Sequence, residues 1–143
     1  MKPWKGNGGM KQLHRGGCHC GAVRYEVALD LSQGTFKCNC SICSKARLWL
    51  AVARPEDFSL LRGEEALTEY LFGSRRIHHL FCRSCGVRSF GWGEAEDGGG
   101  KFYAVHVSCL DDVKPEDLVN APVAYVDGRH DRWQGTPHEI RHL

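Results

Sequence analysis

The chain has 143 residues, 42% of them hydrophobic and 25% charged, with a formal net charge of +2. That is enough for one buried core and too little for two, and the composition excludes wholesale disorder. No apolar run reaches the roughly 18–20 residues of a membrane-spanning helix, residues 1–9 lack the apolar stretch of a secretory signal, and a near-neutral charge predicts neither nucleic acid nor a membrane surface as partner.

In chain order, residues 1–11 are glycine-rich and polar and read as a flexible N-terminal lead-in. From Gln12 the pattern is mostly period two. Val23, Tyr25, Val27 and Leu29 alternate with Arg24, Glu26 and Asp30, which predicts a half-buried strand. The short apolar run 48–53 predicts a more buried one. Pro55-Glu56-Asp57-Phe58 places proline and acids as a first helical turn does, then runs out. Residues 67–72 and 77–81 read as strands joined by a hairpin at Gly73-Ser74-Arg75-Arg76. Residues 87–92 follow as a strand, and 102–107 as another after the Gly98-Gly99-Gly100 turn. Pro115-Glu116-Asp117-Leu118 is a second short helical start. The expected fold is mainly β, with small antiparallel sheets and metal knuckles at hairpin ends. One domain spans 12–133, followed by a C-terminal tail, 134–143.

The chemistry lies in eight cysteines: Cys18, Cys20, Cys38, Cys40, Cys43, Cys82, Cys85 and Cys109. An even count in a secreted chain would suggest disulfides. The one-residue gap of Cys18-His19-Cys20 does not suit disulfide geometry, whereas two sulfurs that close converge readily on one ion. Without an export signal the expected location is cytoplasmic, where thiols stay reduced. Metal binding is therefore the expectation. Seven thiolates on two divalent ions would bring the net charge to about −1, which weakens a nucleic-acid reading further.

The cysteines fall into three clusters. Cys18-His19-Cys20-Gly21 and Cys82-Arg83-Ser84-Cys85-Gly86 each offer two sulfurs and end in a glycine that can turn backbone amides toward them. Together they make a closed four-thiolate site, the structural kind. Cys38-Asn39-Cys40-Ser41-Ile42-Cys43 offers three sulfurs in six residues. Three ligands and a vacancy is the pattern of a reactive zinc. The alternative completes this cluster with Cys109 or a histidine and makes both sites structural. Cys109 alone, in Val107-Ser108-Cys109-Leu110, reads as a buried core thiol.

The order Gly17-Cys18-His19-Cys20-Gly21-Ala22-Val23, Cys38-Asn39-Cys40-Ser41-Ile42-Cys43 and Phe81-Cys82-Arg83-Ser84-Cys85-Gly86 resembles the glutathione-dependent formaldehyde-activating enzyme family, which includes the centromere protein V group. The resemblance covers roughly residues 12–133. It implies the Mss4-like β-tent fold and two zincs per chain. Cys18, Cys20, Cys82 and Cys85 match the structural set, and Cys38, Cys40 and Cys43 the catalytic set. It also implies a carbon–sulfur lyase that reversibly joins glutathione and formaldehyde into S-hydroxymethylglutathione. Ser44 stands where relatives often carry Arg or Gln, and the tail after Trp133 has no clear family pattern.

Glutathione carries two carboxylates, so a cationic rim would help it dock. Arg24, Arg47, Arg75 and Arg76 are candidates by residue type, though most arginines are solvated. His78, His79 and His106 are candidate proton donors to the adduct oxygen. Trp49, Trp92 and Trp133 read as core or pocket wall, and His130, His138 and His142 as solvated. The competing reading is a non-catalytic, zinc-stabilised protein-interaction module of the Mss4-like class. Such a module needs only the closed site, so the three-cysteine cluster discriminates against it. A nucleic-acid-binding zinc ribbon would fit the knuckles but not the charge.

Overall fold

The computed structural model describes residues 10–95 and 99–143. Residues 1–9 of the expected lead-in, and Gly98 of the expected turn, lie outside them. Lys11, at the end of that lead-in, is tied by an ion pair to Asp57 at 2.7 Å. No helix among the described residues is long and apolar enough to cross a membrane.

The described strands are β1 (Gln12–Gly17), β2 (Arg24–Leu29), β3 (Thr35–Cys38), β4 (Leu50–Ala53), β5 (Phe58–Arg62), β6 (Leu67–Tyr70), β7 (Ile77–Cys82), β8 (Phe90–Glu94), β9 (Lys101–His106) and β10 (Val123–Val126). Helix α1 (Ser41–Ala46) follows β3, and α2 (Pro115–Asn120) precedes β10. A three-stranded sheet runs β1-β2-β5 and a seven-stranded sheet β10-β3-β4-β9-β8-β7-β6. The architecture is mainly β, as expected, and every described pairing is antiparallel except β10 on β3.

Several elements carry no readable period. β3 and β10 are four residues each, too short for alternation to show. In β5 only Phe58 is buried. The first proline-led start is a single 3-10 turn, Pro55–Asp57, and the second becomes α2. The strand expected at 87–92 begins at Phe90, because Val87 is used to close the cysteine knuckle: its carbonyl accepts from Cys82 N–H at 3.1 Å.

The two sheets share one core. In β2, Tyr25, Val27 and Leu29 point inward while Arg24, Glu26 and Ala28 do not. Tyr25 packs on Phe58 and Phe90 with ring centroids 5.2 and 5.5 Å apart, and Phe58 stacks on Tyr103 at 4.1 Å. Burial of aromatic rings of this size supplies much of the driving force for joining the sheets. The Tyr25 hydroxyl donates to the Ser89 carbonyl at 3.0 Å, which satisfies the one polar atom the ring takes into the core.

In the large sheet Ala51, Val105 and Phe90 are cross-strand partners on the core side. The alternate row, Tyr70–His79–Gly91–Ala104–Val52, therefore lies on the opposite face. So does the row Phe36–Leu50–His106. This outer face is half-buried to exposed.

Candidate metal centres

The first cysteine arm lies in the β1–β2 connection and the second at the β7 end, so both occupy hairpin ends. Sulfurs of Cys18, Cys20, Cys82 and Cys85 all lie within 4.8 Å of one another. The Cys18–Cys20 and Cys20–Cys82 separations are both 3.7 Å. A tetrahedral zinc with bonds of ~2.3 Å has sulfur–sulfur edges of about 3.8 Å, so this donor set fits that ion. Gly86 takes φ +77, a conformation open to glycine, and its N–H reaches the Cys82 carbonyl at 2.7 Å. Gly21, which follows the first arm, takes a similar left-handed φ of +86.

Backbone amides favour thiolates here. Val23 N–H donates to Cys18 Sγ at 3.3 Å and Ser84 N–H to Cys82 Sγ at 3.4 Å. The N–H groups of Val87 and then Cys20 lower Cys85 to about 6. Cys20 accepts from Ala22 N–H, which favours its thiolate, yet sharing a proton with Cys82 pushes it up to about 11. Adjacent sulfurs hold protons between them unless a cation balances their charge.

The second cluster sits at a strand–helix junction. Cys38 ends β3, Cys40 is the residue before α1, and Cys43 lies within α1. Their sulfurs lie within 4.8 Å of one another, and among the described residues no fourth histidine, cysteine or carboxylate joins them. Hydrogen bonds from Cys38 and Cys43 hold Cys40 down to about 2, helped by the N–H groups of Cys43 and Ile42. The hydrogen bond with Cys38, then that with Cys40, raises Cys43. Cys109, the fourth ligand considered from sequence, instead has its thiol 3.9 Å from the Arg88 carbonyl. Burial pushes it up to about 11. All eight cysteines are free of disulfides.

The triad loop is clamped by a segment with no metal-ligand signature. The Asp127 carboxylate is buried and accepts from Asn39 Nδ2 at 2.8 Å, with His130 Nδ1 at 2.9 Å and Arg132 at 3.5 Å. The bond from Asn39 holds Asp127 below the usual carboxylate range. Asn39, between two of the cysteines, also accepts from Arg129: Oδ1 takes the backbone N–H at 2.9 Å and the Asn39 carbonyl takes Nε at 3.1 Å. His130 is exposed, as expected, and its ring also bonds the buried Asp127. Gly128 passes so close that a Cβ there would lie 2.6 Å from Cys38 Sγ and 2.8 Å from the Trp133 ring. Gly128→Ala is therefore expected to displace Cys38 and weaken metal retention at the triad about 10–100-fold, the usual cost of disturbing a ligand's support. The four-sulfur site should keep its metal. Metal analysis after mild chelation checks this, and equal loss from both sites would contradict it.

Beside the triad, the candidates named from sequence separate. His78 stacks on Trp92 at 3.6 Å and bonds Glu69 at 2.9 Å, on the core side of the sheet. His79 and His106 are on the outer face. Arg24 is paired with Asp111 at 2.7 Å. Arg47 ends α1 and Arg75 lies in the β6–β7 connection, both in left-handed backbone. Besides Arg129 on the Asn39 carbonyl, a further cation is coupled to the triad electrostatically: Arg88, which no local pattern singles out, has its guanidinium 2.7 Å from His79 Nδ1 and feels the Cys43 charge.

A family model described as "Glutathione-dependent formaldehyde-activating enzyme" matches residues 13–126. The crystal structure of a Rhodobacter sphaeroides protein is 38% identical, over 77% of this chain and 99% of that one, with a TM-score of 0.65. The clamp at Asp127–Arg132 begins where the family match ends.

Proposed function

Because the chain belongs to the glutathione-dependent formaldehyde-activating enzyme family, we propose that it is a zinc-dependent carbon–sulfur lyase. It joins the thiol of glutathione, or a similar small thiol, to a small aldehyde as an S-hydroxymethyl adduct, and cleaves that adduct in reverse. Cys38, Cys40 and Cys43 would hold the reactive zinc, and Cys18, Cys20, Cys82 and Cys85 a structural one. The observation that carries this reading is the contrast between four converging sulfurs in one cluster and three in the other.

Cys38, Cys40 and Cys43 would hold a zinc whose Lewis acidity would favour the nucleophilic thiolate form of a substrate thiol. Arg88, close enough to feel the Cys43 charge, offsets the negative triad. The Tyr70 and Phe72 rings, 5.6 Å apart and exposed, wall the His79 side of the outer face. In the forward step the carbon–sulfur bond forms while the carbonyl π pair moves to oxygen. That oxygen takes a proton from solvent, replacing the one the thiol released on binding.

The test is to load the protein with cobalt, whose thiolate bands report ligand exchange, and titrate with glutathione. Half of the metal should respond, with adduct formation on adding formaldehyde. Two unresponsive metals would favour the interaction-module reading.

A further inference from the structure

His79 and Arg88 form a pair that no residue motif announces. Arginine carries only donors. The 2.7 Å contact between the Arg88 guanidinium and His79 Nδ1 therefore means that Nδ1 accepts and bears no proton. A neutral ring so held has its proton on Nε2. Its orientation is doubly constrained: Arg88 fixes the rotation, and Phe72 stacks on the ring at 5.4 Å and 21°. Tyr70 flanks it at 6.3 Å. Nε2 meets no acceptor among the described residues.

His79 also lies on the outer face of the large sheet, the face that Cys38 takes in the alternation of β3. The Cys40 charge acts on His79 and the Cys43 charge on Arg88. Burial, then the neighbouring guanidinium, lowers His79 to about 4, in line with a neutral ring. Among the described residues Arg88 has no carboxylate partner, so its charge is spent on the ring and the triad.

We propose that His79 donates its Nε2–H to the aldehyde oxygen as the carbon–sulfur bond forms, with Arg88 as the positioning residue that fixes the ring and its tautomer. This rests on the lyase reading above. A donor prearranged where negative charge develops favours the transition state over the bound aldehyde. His79 keeps its proton throughout, because losing it would leave an anionic ring. The oxygen is protonated by water, and the balance of the reaction is unchanged.

Two measurements test the pair. Nitrogen NMR of the intact two-metal protein should show His79 as a single Nε2–H tautomer, shifting to a mixture in Arg88→Met. A proton on Nδ1 in the wild type would overturn the pair. Separately, His79→Phe should keep both metals and its KM for glutathione within about twofold, while kcat falls about a hundredfold. His79→Gln, which retains an N–H donor, should recover part of that loss. An unchanged kcat, or a rise in the thiol KM alone, would remove His79 from the chemistry. If the wild type did not turn over glutathione and formaldehyde, the lyase reading would fall, and with it the donor role. The tautomer measurement would still decide the His79–Arg88 geometry.

Discussion

Cys40→Ala is expected to yield a folded protein with one metal per chain, against an expected two in the wild type, and with no response to glutathione. The loss should be severe because only two sulfurs would remain of a set that has three. Even disturbing a ligand's outer support costs about 10–100-fold in affinity, so removing a ligand costs more. The fold should survive for local reasons. Cys40 precedes α1 but makes no side-chain capping bond to it. It is half-buried and lies outside the buried cluster that joins the sheets. Metal analysis and a thermal melt together check the expectation. A variant that keeps both metals would show that the triad is not a metal site. A variant that loses both would show that the two clusters are not independent.

The opposite outcome is expected at the other cluster. Cys18→Ala should give a chain with no cooperative unfolding transition. Cys18 belongs to the core cluster, and its backbone N–H bonds the Val23 carbonyl at 3.1 Å, beside the fully buried Val23. Its sulfur converges with that of Cys20 and with those of Cys82 and Cys85 at the end of β7, so a metal held by the four would cross-link the two sheets. Structural zinc binding contributes apparent free energies of ~10–16 kcal/mol in small domains. Whole domains are stable by roughly 5–15 kcal/mol. Losing the ion therefore removes an amount comparable to the total. Near-ultraviolet circular dichroism and a melt in the presence and absence of chelator would measure it. A cooperative melt at the wild-type temperature would refute the structural role. The two cysteine substitutions thus separate function from folding: one should cost the reaction, the other the fold.

What could be read along the chain is what lies close along it. The cysteine arms and the triple cluster are chelating units of three to six residues, and their spacing alone points to metal over disulfide. The clearest strand, β2, shows because half-burial imposes strict alternation over its six residues. β3, β5 and β10 do not show, because four residues, or one buried side in five, leave no period to find.

Sheet order decided the rest. Cys20 meets Cys82 across 62 positions because the β1–β2 hairpin and the end of β7 close on one core. Asn39 meets Asp127 and Arg129 across 88 and 90 positions because β10 lies parallel beside β3. His79 lies on the outer face of the large sheet while His78 lies on the core side, because one residue's step along a strand reverses the side chain's direction. Chelate spacing is a property of the chain itself. Partners for charges and ring nitrogens are chosen by which strands become neighbours, and that follows from burying both sheets against one core.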